Sequence, residues 1–470
     1  MSKNENRQGQ KNLSRRSFIG TVGVAATAFT IIPRHVLGGN GYTSPSDMVN
    51  VAGIGVGGQG GGDIRGICDP DVPEVRKQNP ASTTPSAPRA PVRLANIYAL
   101  CDVDSVKAGP IFKSYPKAKI YTDWREMLEK EKSIDAVVIG TPDHNHAPIA
   151  AAFMKAKKHI YVEKPMCKTI YECRKLAEIA KEMNVVTQMG NQGHAAEGTR
   201  QTVEWIQGGV IGLVREVYLS TNRPIWPQGN LKRPAGVEVP PNLNYDLWLG
   251  PAPEKPYHPD ILHFNWRGLW DYGTGAMGDM GAHIFDAPIW ALDLGMPTRI
   301  QATSSPYSTS YLPQAEWVTY EFPERGKMPA VKVTWCDGGL KAPRPAALEP
   351  GRSVRDAMYI GEKGIIMHGS HGASPELVPA DKNFKGPDPW LQRTGNIYAD
   401  FIDAIKKGTK SCNDFSISAK VTEIMLLTNI AVLNQKFNIT LEYDAAGMKI
   451  TNLPEADKLF HYEYRQGWSV

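Results

Sequence analysis

The chain has 470 residues, 41% hydrophobic and 21% charged, enough for two or three domains with cores of their own. Its net charge of +5 is spread without a dense Lys/Arg stripe, and no zinc-type Cys/His spacing occurs, so nothing points to nucleic acid. The six cysteines, Cys68, Cys101, Cys167, Cys173, Cys336 and Cys412, share no repeated spacing and read as buried thiols rather than a disulfide framework.

Met1–Lys11 is polar. Ser14–Gly20 (SRRSFIG) then precedes an apolar run, Thr21–Ile32, closed by Pro33, which is a signal-peptide layout. The run is shorter than the ~20 residues a bilayer span needs. The paired arginines resemble a twin-arginine signal, with an ordinary Sec signal or an uncleaved anchor as the alternative. The expectation is a periplasmic or secreted protein with no stable membrane span after export, residues 1–47 being signal and linker.

Met48–Ala52 reads as a short buried strand and Gly53–Gly62 as a glycine-rich turn, seven of whose ten residues are glycine. Gly55, Gly57 and Gly60 fit G-x-G-x-x-G, a turn whose backbone N–H groups reach a pyrophosphate. Several registers fit, and a flexible glycine loop is the alternative from these residues alone. Asp71–Pro91 is rich in proline and reads as a surface insertion. A second strand, Ala95–Leu100, ends at Asp102, where a carboxylate binds the adenosine ribose and disfavours a 2′-phosphate, so NAD is expected over NADP. Asp102 also fits an N-cap for a helix over Val103–Lys113.

Trp124–Lys130 reads as a helix, Asp135–Gly140 as a buried strand, Ala147–Lys157 as a helix and His159–Val162 as a strand. Leu176–Met183 reads as a helix and Val185–Met189 as a strand. This alternation argues an α/β, doubly wound parallel sheet over 48–195, with 71–91 inserted. Ligands bind beyond the carboxyl ends of such strands, where Asp102, Thr141–His146, Glu163–Pro165 and Asn191–His194 all fall.

After a helix at Thr199–Gln207 the pattern changes. Strands are expected at Val214–Thr221, Arg299–Ser304, Glu316–Phe322, Ala330–Cys336 and Tyr359–His368. Pro224–Pro259, Asp337–Arg355 and Gly369–Thr394 read as loops, and Asn396–Lys407 and Ala419–Asn434 as amphipathic helices. Residues 196–438 thus read as an α+β domain with a large, open, mostly antiparallel sheet whose last helices return to the first domain, followed by a C-terminal extension, 439–470. Gly278–Asp286 reads as one helix, with Asp279, His283 and Asp286 on one face.

At Glu163-Lys164-Pro165 the chain resembles the Gfo/Idh/MocA family, the glucose–fructose oxidoreductase and inositol dehydrogenase group. The glycine turn, CDVD (Cys101–Asp104), TPDHNH (Thr141–His146), EKP, the Asp279/His283 helix and FIDAIKKG (Phe401–Gly408) carry the resemblance in order over about 49–438. PRHVLGG (Pro33–Gly39) and the Trp266–Met280 stretch (WRGLWDYGTGAMGDM) look like a secreted bacterial branch. The resemblance implies a cofactor cradle of Gly55, Gly57, Gly58, Gln59, Gly60, Asp102, Thr141, Pro142, His144, His146, Glu163, Lys164 and Asn191. It implies catalysis by Lys164, which polarises the reacting oxygen, by His283 as general base and by Asp279 as its orienter or as a holder of a hydroxyl. On the residues alone, Lys164 can instead pair with a carboxylate for structure, and a lone helical histidine is more often structural than catalytic. Gln192, His194, Trp266, Arg267, Asp279 and His283 are the expected substrate contacts. His144 and His146 also fit a metal pair, but no third ligand has suitable spacing, so no metal is expected.

The function expected is NAD-dependent oxidation of a secondary hydroxyl of a sugar, glycoside or polyol, with tightly bound cofactor. One alternative is an NAD-dependent glycosidase that oxidises transiently, eliminates, adds water and reduces back. Another is a non-catalytic sugar-binding protein. An open second sheet suggests a homo-oligomer, dimer or tetramer.

Overall fold

A computed structural model of the chain describes residues 48–68 and 94–470. The expected signal segment and the 71–91 insertion lie outside the described residues.

Six parallel strands form the first sheet: β1 (Val49–Ile54), β2 (Ala95–Cys101), β3 (Lys119–Tyr121), β4 (Ala136–Ile139), β5 (His159–Val162) and β6 (Thr187–Met189), in the order β3-β2-β1-β4-β5-β6. β4 is buried at every residue, as a strand covered on both faces must be. The helices between are α1 (Gln59–Cys68), α2 (Gly109–Ser114), α3 (Trp124–Lys130), α4 (Asp143–Lys155) and α5 (Ile170–Met183).

Several boundaries move from their sequence positions. β1 runs on to Ile54 and α1 starts at Gln59, so Gly60–Gly62 are helical. β3 is a three-residue edge strand with Lys119 and Ile120 exposed, too short and too open to leave a pattern. The helix expected over Val103–Lys113 starts only at Gly109, because Asp104 Oδ1 accepts the N–H groups of Val106 and Lys107 (2.9 Å each) and holds a turn there. The N-cap role considered for Asp102 is therefore absent. α5 begins at Ile170, where Thr169 and Glu172 form a capping box.

After α6 (Glu197–Gln207) the second sheet has nine strands. They are β7 (Val214–Ser220), β8 (Arg299–Ser304), β9 (Glu316–Phe322), β10 (Val331–Cys336), β11 (Ala357–Gly361), β12 (Ile365–His368), β13 (Glu376–Val378), β14 (Leu441–Asp444) and β15 (Lys449–Ile450). Their order is β13-β12-β11-β7-β10-β9-β8-β14-β15, antiparallel except for the parallel pair β7/β10. The strand expected over Tyr359–His368 is a hairpin, β11/β12, folded at Gly361–Gly364. Residues 439–470 extend the sheet edge through β14 and β15 instead of trailing from it.

The last helices, α7 (Ile397–Lys407) and α8 (Phe415–Asn434), run back to the first sheet. α8 is long and apolar enough to cross a membrane by length and composition, but it packs against α5 and β8, and its apolar residues are core. Arg174 of α5 ties this junction. It donates to both oxygens of Glu423 on α8 (2.9 and 2.6 Å), to Tyr443 OH of β14 (3.0 Å) and to the Ala445 carbonyl (2.6 Å). Glu423 is buried, so removing its partner strands a carboxylate in a low-dielectric interior. Arg174→Ala should therefore lower unfolding free energy by about 3 kcal/mol, read as a denaturation midpoint. Lys130→Ala, which breaks an exposed i,i+4 pair with Glu126, should leave the midpoint unchanged.

Candidate active site

The chain turns from β1 into α1 over Gly55–Gly58. Gly55 has φ +74°, and a Cβ there would lie 2.7 Å from the Thr141 nitrogen. A Cβ on Gly60 would lie 2.5 Å from the Gly55 carbonyl oxygen and 3.1 Å from Gly140 Cα. The turn thus packs on the end of β4 with no space for side chains, while Gly58 faces open space. Asp102 follows β2 and accepts the Gly57 N–H (2.8 Å) and the Asp104 N–H (2.9 Å). These bonds aim its carboxylate at the turn. Burial raises its pKa, and the two backbone bonds oppose that rise.

One cavity of about 310 Å³ runs from this turn to the second sheet's side of the molecule. Gly55, Gly57, Gly58, Gln59 and Asp102 line one end; Thr141, Pro142, Glu163 and Lys164 continue it; Trp266, Arg267 and Asp279 close it. The residues fit a dinucleotide: a glycine turn at a helix N-terminus meets a diphosphate, and a carboxylate at the end of β2 meets the ribose.

At the far end Lys164 Nζ donates to the Asp279 carbonyl oxygen (2.8 Å) and to Asp279 Oδ1 (3.0 Å). Arg267 Nε stands 3.7 Å from Oδ1, and Arg223 Nε stands 3.7 Å from Oδ2. Burial alone would push the Asp279 carboxyl up, but Lys164, Arg267 and Arg223 outweigh it and hold its pKa below the usual range. The guanidinium of Arg267 also lies over Trp266, 4.4 Å from the ring centroid. Asp143, in the same wall, accepts from Thr274 Oγ1 (2.6 Å), and burial pushes it up to about 6.

Asp279 does not sit on a regular helix. Met277–Gly281 is a π-helical turn, followed by short α segments at Ala282–Ile284 and Asp286–Ala291. An i→i+5 turn holds more residues than an α turn and shifts the helix phase. This corrects the expected single face: Asp279 meets Lys164, whereas Asp286 turns to His194 (2.9 Å).

His283 is buried and does not line the cavity. Its Nδ1 meets Asn191 Oδ1 at 3.0 Å, and its ring stacks on His371 at 3.8 Å. Because Asn191 presents its oxygen, Nδ1 carries the proton and Nε2 keeps its lone pair. Burial first, then His371 and Lys164, holds its pKa well below the ordinary histidine value.

Other expected contacts sit elsewhere. His144 meets the carbonyls of Tyr272 (3.3 Å) and Trp248 (3.0 Å), and His146 those of Pro165 (2.8 Å) and Thr141 (2.7 Å). Both are buried off the cavity wall, and burial lowers them to about 3 and about 4. They brace the wall instead of lining it. Asn191 supports His283, and Gln192 donates to Glu163 Oε1 (3.3 Å). Gly60 acts from behind the turn. His194 faces a different cavity, with Trp290 stacked on its ring at 4.9 Å.

The sequence reading missed Arg223, His371, Lys107 and Asp63. Arg223 and His371 lie on loops after β7 and β12 and left no pattern. Lys107 lines the cavity beside Asp102. Asp63 of α1 is wholly buried; it accepts from Tyr398 OH (2.9 Å) and Gln59 Nε2 (3.0 Å), and burial pushes it up to about 7. A charged residue among the helical glycines was the available signal. Burial also raises Glu163, and the neighbouring Asp63 carboxyl adds to that rise.

Residues 79–191 match the family model described as "Oxidoreductase family, NAD-binding Rossmann fold", GFO_IDH_MocA, and residues 223–328 match its "C-terminal alpha/beta domain", GFO_IDH_MocA_C2. A "Glycosyl hydrolase family 109 protein" of Shewanella baltica is 25% identical over 225 residues, 43% of this chain and 44% of that protein. A "Myo-inositol 2-dehydrogenase" of Thermotoga maritima is 25% identical over 142 residues, 30% of this chain and 42% of that protein. The chain thus matches less than half the length of these curated relatives. The solved structure of a levoglucosan dehydrogenase in complex with NADH and L-sorbose shares the fold, with a TM-score of 0.53 at 18% identity, covering 82% of this chain and 97% of that one.

Gly60→Ala would force the turn off the end of β4, a strain of about 1–3 kcal/mol. Dinucleotide affinity, measured by NADH fluorescence titration, should fall by roughly tenfold or more.

Proposed function

We propose that the chain, which matches the Gfo/Idh/MocA oxidoreductase models over residues 79–191 and 223–328, is a member of that family and oxidises a secondary hydroxyl of a sugar, glycoside or polyol with a nicotinamide dinucleotide. The observation that carries this reading is the Lys164–Asp279 pair, set at the end of β5 in the same cavity as the glycine turn and Asp102. When bound, the nicotinamide supplies the hydride acceptor. Gly58 and the first N–H groups of α1 would hold the diphosphate, across a turn in which Gly55 and Gly57, whose own N–H groups go to the Cys101 carbonyl and to Asp102, leave no side chain in the way, and Asp102 would hold the adenosine ribose.

Lys164 Nζ is positioned by Asp279 and donates a hydrogen bond to the reacting oxygen, stabilising charge as the carbonyl forms. His283 stands buried behind the cavity wall near Lys164, its ring fixed by Asn191 and His371, and would take the hydroxyl proton at Nε2 once bound substrate reaches it. Arg267 and Trp266 offer a charged donor and an aromatic face to the sugar. Asp102 disfavours a 2′-phosphate, which makes NAD the preferred cofactor. The twin-arginine motif at Arg15–Arg16 supports export of the cofactor-loaded protein, and the open second sheet supports a homo-oligomer.

A second reading is favoured by the relatives named as family 109 glycosyl hydrolases: the same residues would oxidise transiently, eliminate the aglycone, add water and reduce back. Aglycone release without net NADH accumulation from a glycoside panel identifies this outcome, and NADH accumulation identifies net oxidation.

Lys164→Ala and His283→Ala should each lower kcat by about 10²–10⁴-fold while dinucleotide binding persists. Both act on one oxygen, so the double variant should be little worse than either. Near-full turnover in a single variant would make that residue structural. The base must be neutral, and its pKa is held well below 6.5, so neutral His283 persists into acid. The acid limb of kcat/KM assigned to His283 should therefore lie below pH 6.5; a midpoint at 6.5 or above would assign the proton to another group.

A further inference from the structure

A second cavity, of about 540 Å³, lies outside the cleft just described. Lys168–Ile170, just after the Glu163-Lys164-Pro165 turn, form one wall. Asn429 of α8 and His461 and Tyr462 of the C-terminal segment form another, and Trp270 and Tyr307 a third. The chain from 266 to 275 separates the two cavities. Trp266, Arg267 and Gly275 line the cleft, whereas Trp270 and Gly273 line this second space.

Three buried polar atoms among its lining residues have no hydrogen-bond partner: Asn429 Oδ1, His461 Nδ1 and Tyr462 OH. Buried polar atoms are nearly always paired, so three around one cavity call for a polar occupant. Neighbouring polar groups are already committed. Trp270 Nε1 donates to the Ser308 carbonyl (3.2 Å), and Tyr307 OH donates to the Val432 carbonyl (3.2 Å), which leaves those rings as apolar faces.

Charge narrows the ligand. Lys168 Nζ lies over the Tyr462 ring, 4.2 Å from its centroid. The buried Glu172 carboxylate, close by, accepts the N–H groups of Lys168 and Thr169 (2.9 Å each) and the hydroxyl of Tyr464. Asp271 also faces Lys168 and Tyr462, so the single cation is outnumbered by carboxylates, and these together with Asn429 Oδ1 would repel an anion. A hydrocarbon would leave all three atoms unpaired. Hydroxyl groups both donate and accept, so a ring bearing several of them satisfies a carbonyl acceptor, a phenol and an imidazole together, while its C–H face rests on Trp270 or Tyr307.

We propose that the cavity bounded by Lys168, Trp270, Asn429, His461 and Tyr462 is a second binding site, distinct from the catalytic cleft, for a neutral sugar residue. The site is built where the C-terminal segment folds back over α5, and it shares the 266–275 segment with the cleft, so its occupant contacts the back of the catalytic wall.

The test uses the full chain saturated with NADH, titrated by calorimetry with methyl β-D-glucoside, D-galactose, N-acetyl-D-glucosamine, myo-inositol and, as an anionic probe, D-glucuronate. A crystal soaked with the tightest binder then locates it. The expected result is a neutral sugar bound in this cavity, with contacts to Asn429 Oδ1 and Tyr462 OH. Its affinity should drop about tenfold in Tyr462→Phe, which removes one hydrogen bond and keeps the ring. Asn429→Ala should weaken it likewise, with NADH affinity unchanged in both. Thermal melts check that each variant is folded; should Asn429→Ala not fold, Tyr462→Phe alone decides. Sugar found only in the cleft, no binding by any neutral probe, tighter binding of glucuronate, or unaltered affinity in Tyr462→Phe would each overturn the proposal. So would a cavity holding only water or a side chain of a second copy. The readout is binding, so a failed proposal about turnover leaves this test unaffected.

Discussion

The ion pair between Lys164 and Asp279 joins the two halves of the molecule at the point where chemistry is expected. Lys164 stands at the end of a strand in the first sheet, and Asp279 sits on a π-turn more than a hundred residues later. The pair is largely buried, each side chain 15–16% exposed, so its geometry must be good to offset desolvation. The lysine meets both the side chain and the backbone carbonyl of Asp279, and two arginines stand further out. Removing the carboxylate would leave three cations facing one another. On this π-turn Asp279 presents both its carbonyl and its carboxylate to the same ammonium.

Around this pair burial shifts other ionisable groups toward their neutral forms. Burial lowers His144, His146 and His283, and raises Asp63, Asp143 and Glu163. Asp63 lies under the glycine turn and is reached by Tyr398 from α7, so the late helix steadies the cofactor cradle through a buried hydrogen bond.

The C-terminal residues belong to the same framework. β14 and β15 lengthen the second sheet, Tyr464 closes on Glu172 of α5, and Trp468 packs on Trp124 at 6.2 Å. The first half of the chain therefore leans on the last thirty or so residues, consistent with Arg174 reaching Tyr443 and Ala445.

Local pattern in the chain by itself determined the alternating first half, the acidic residue closing β2, the Glu163-Lys164-Pro165 turn and most strands of the second sheet. Each depends on period and on short-range turn chemistry, which neighbours in sequence carry. The family resemblance put Lys164 and Asp279 in one site but gave Asp279 to His283; the structure gives it to Lys164 and gives Asn191 to His283. Tertiary structure alone decided which polar residues face the cleft. His144 and His146 satisfy carbonyls behind the wall, His194 serves another cavity, and Arg223 and His371 arrive from loops with no periodicity. The helical phase at Asp279 was likewise illegible, because an α-turn and a π-turn share the same composition and differ only in which carbonyl the lysine and the surrounding packing claim.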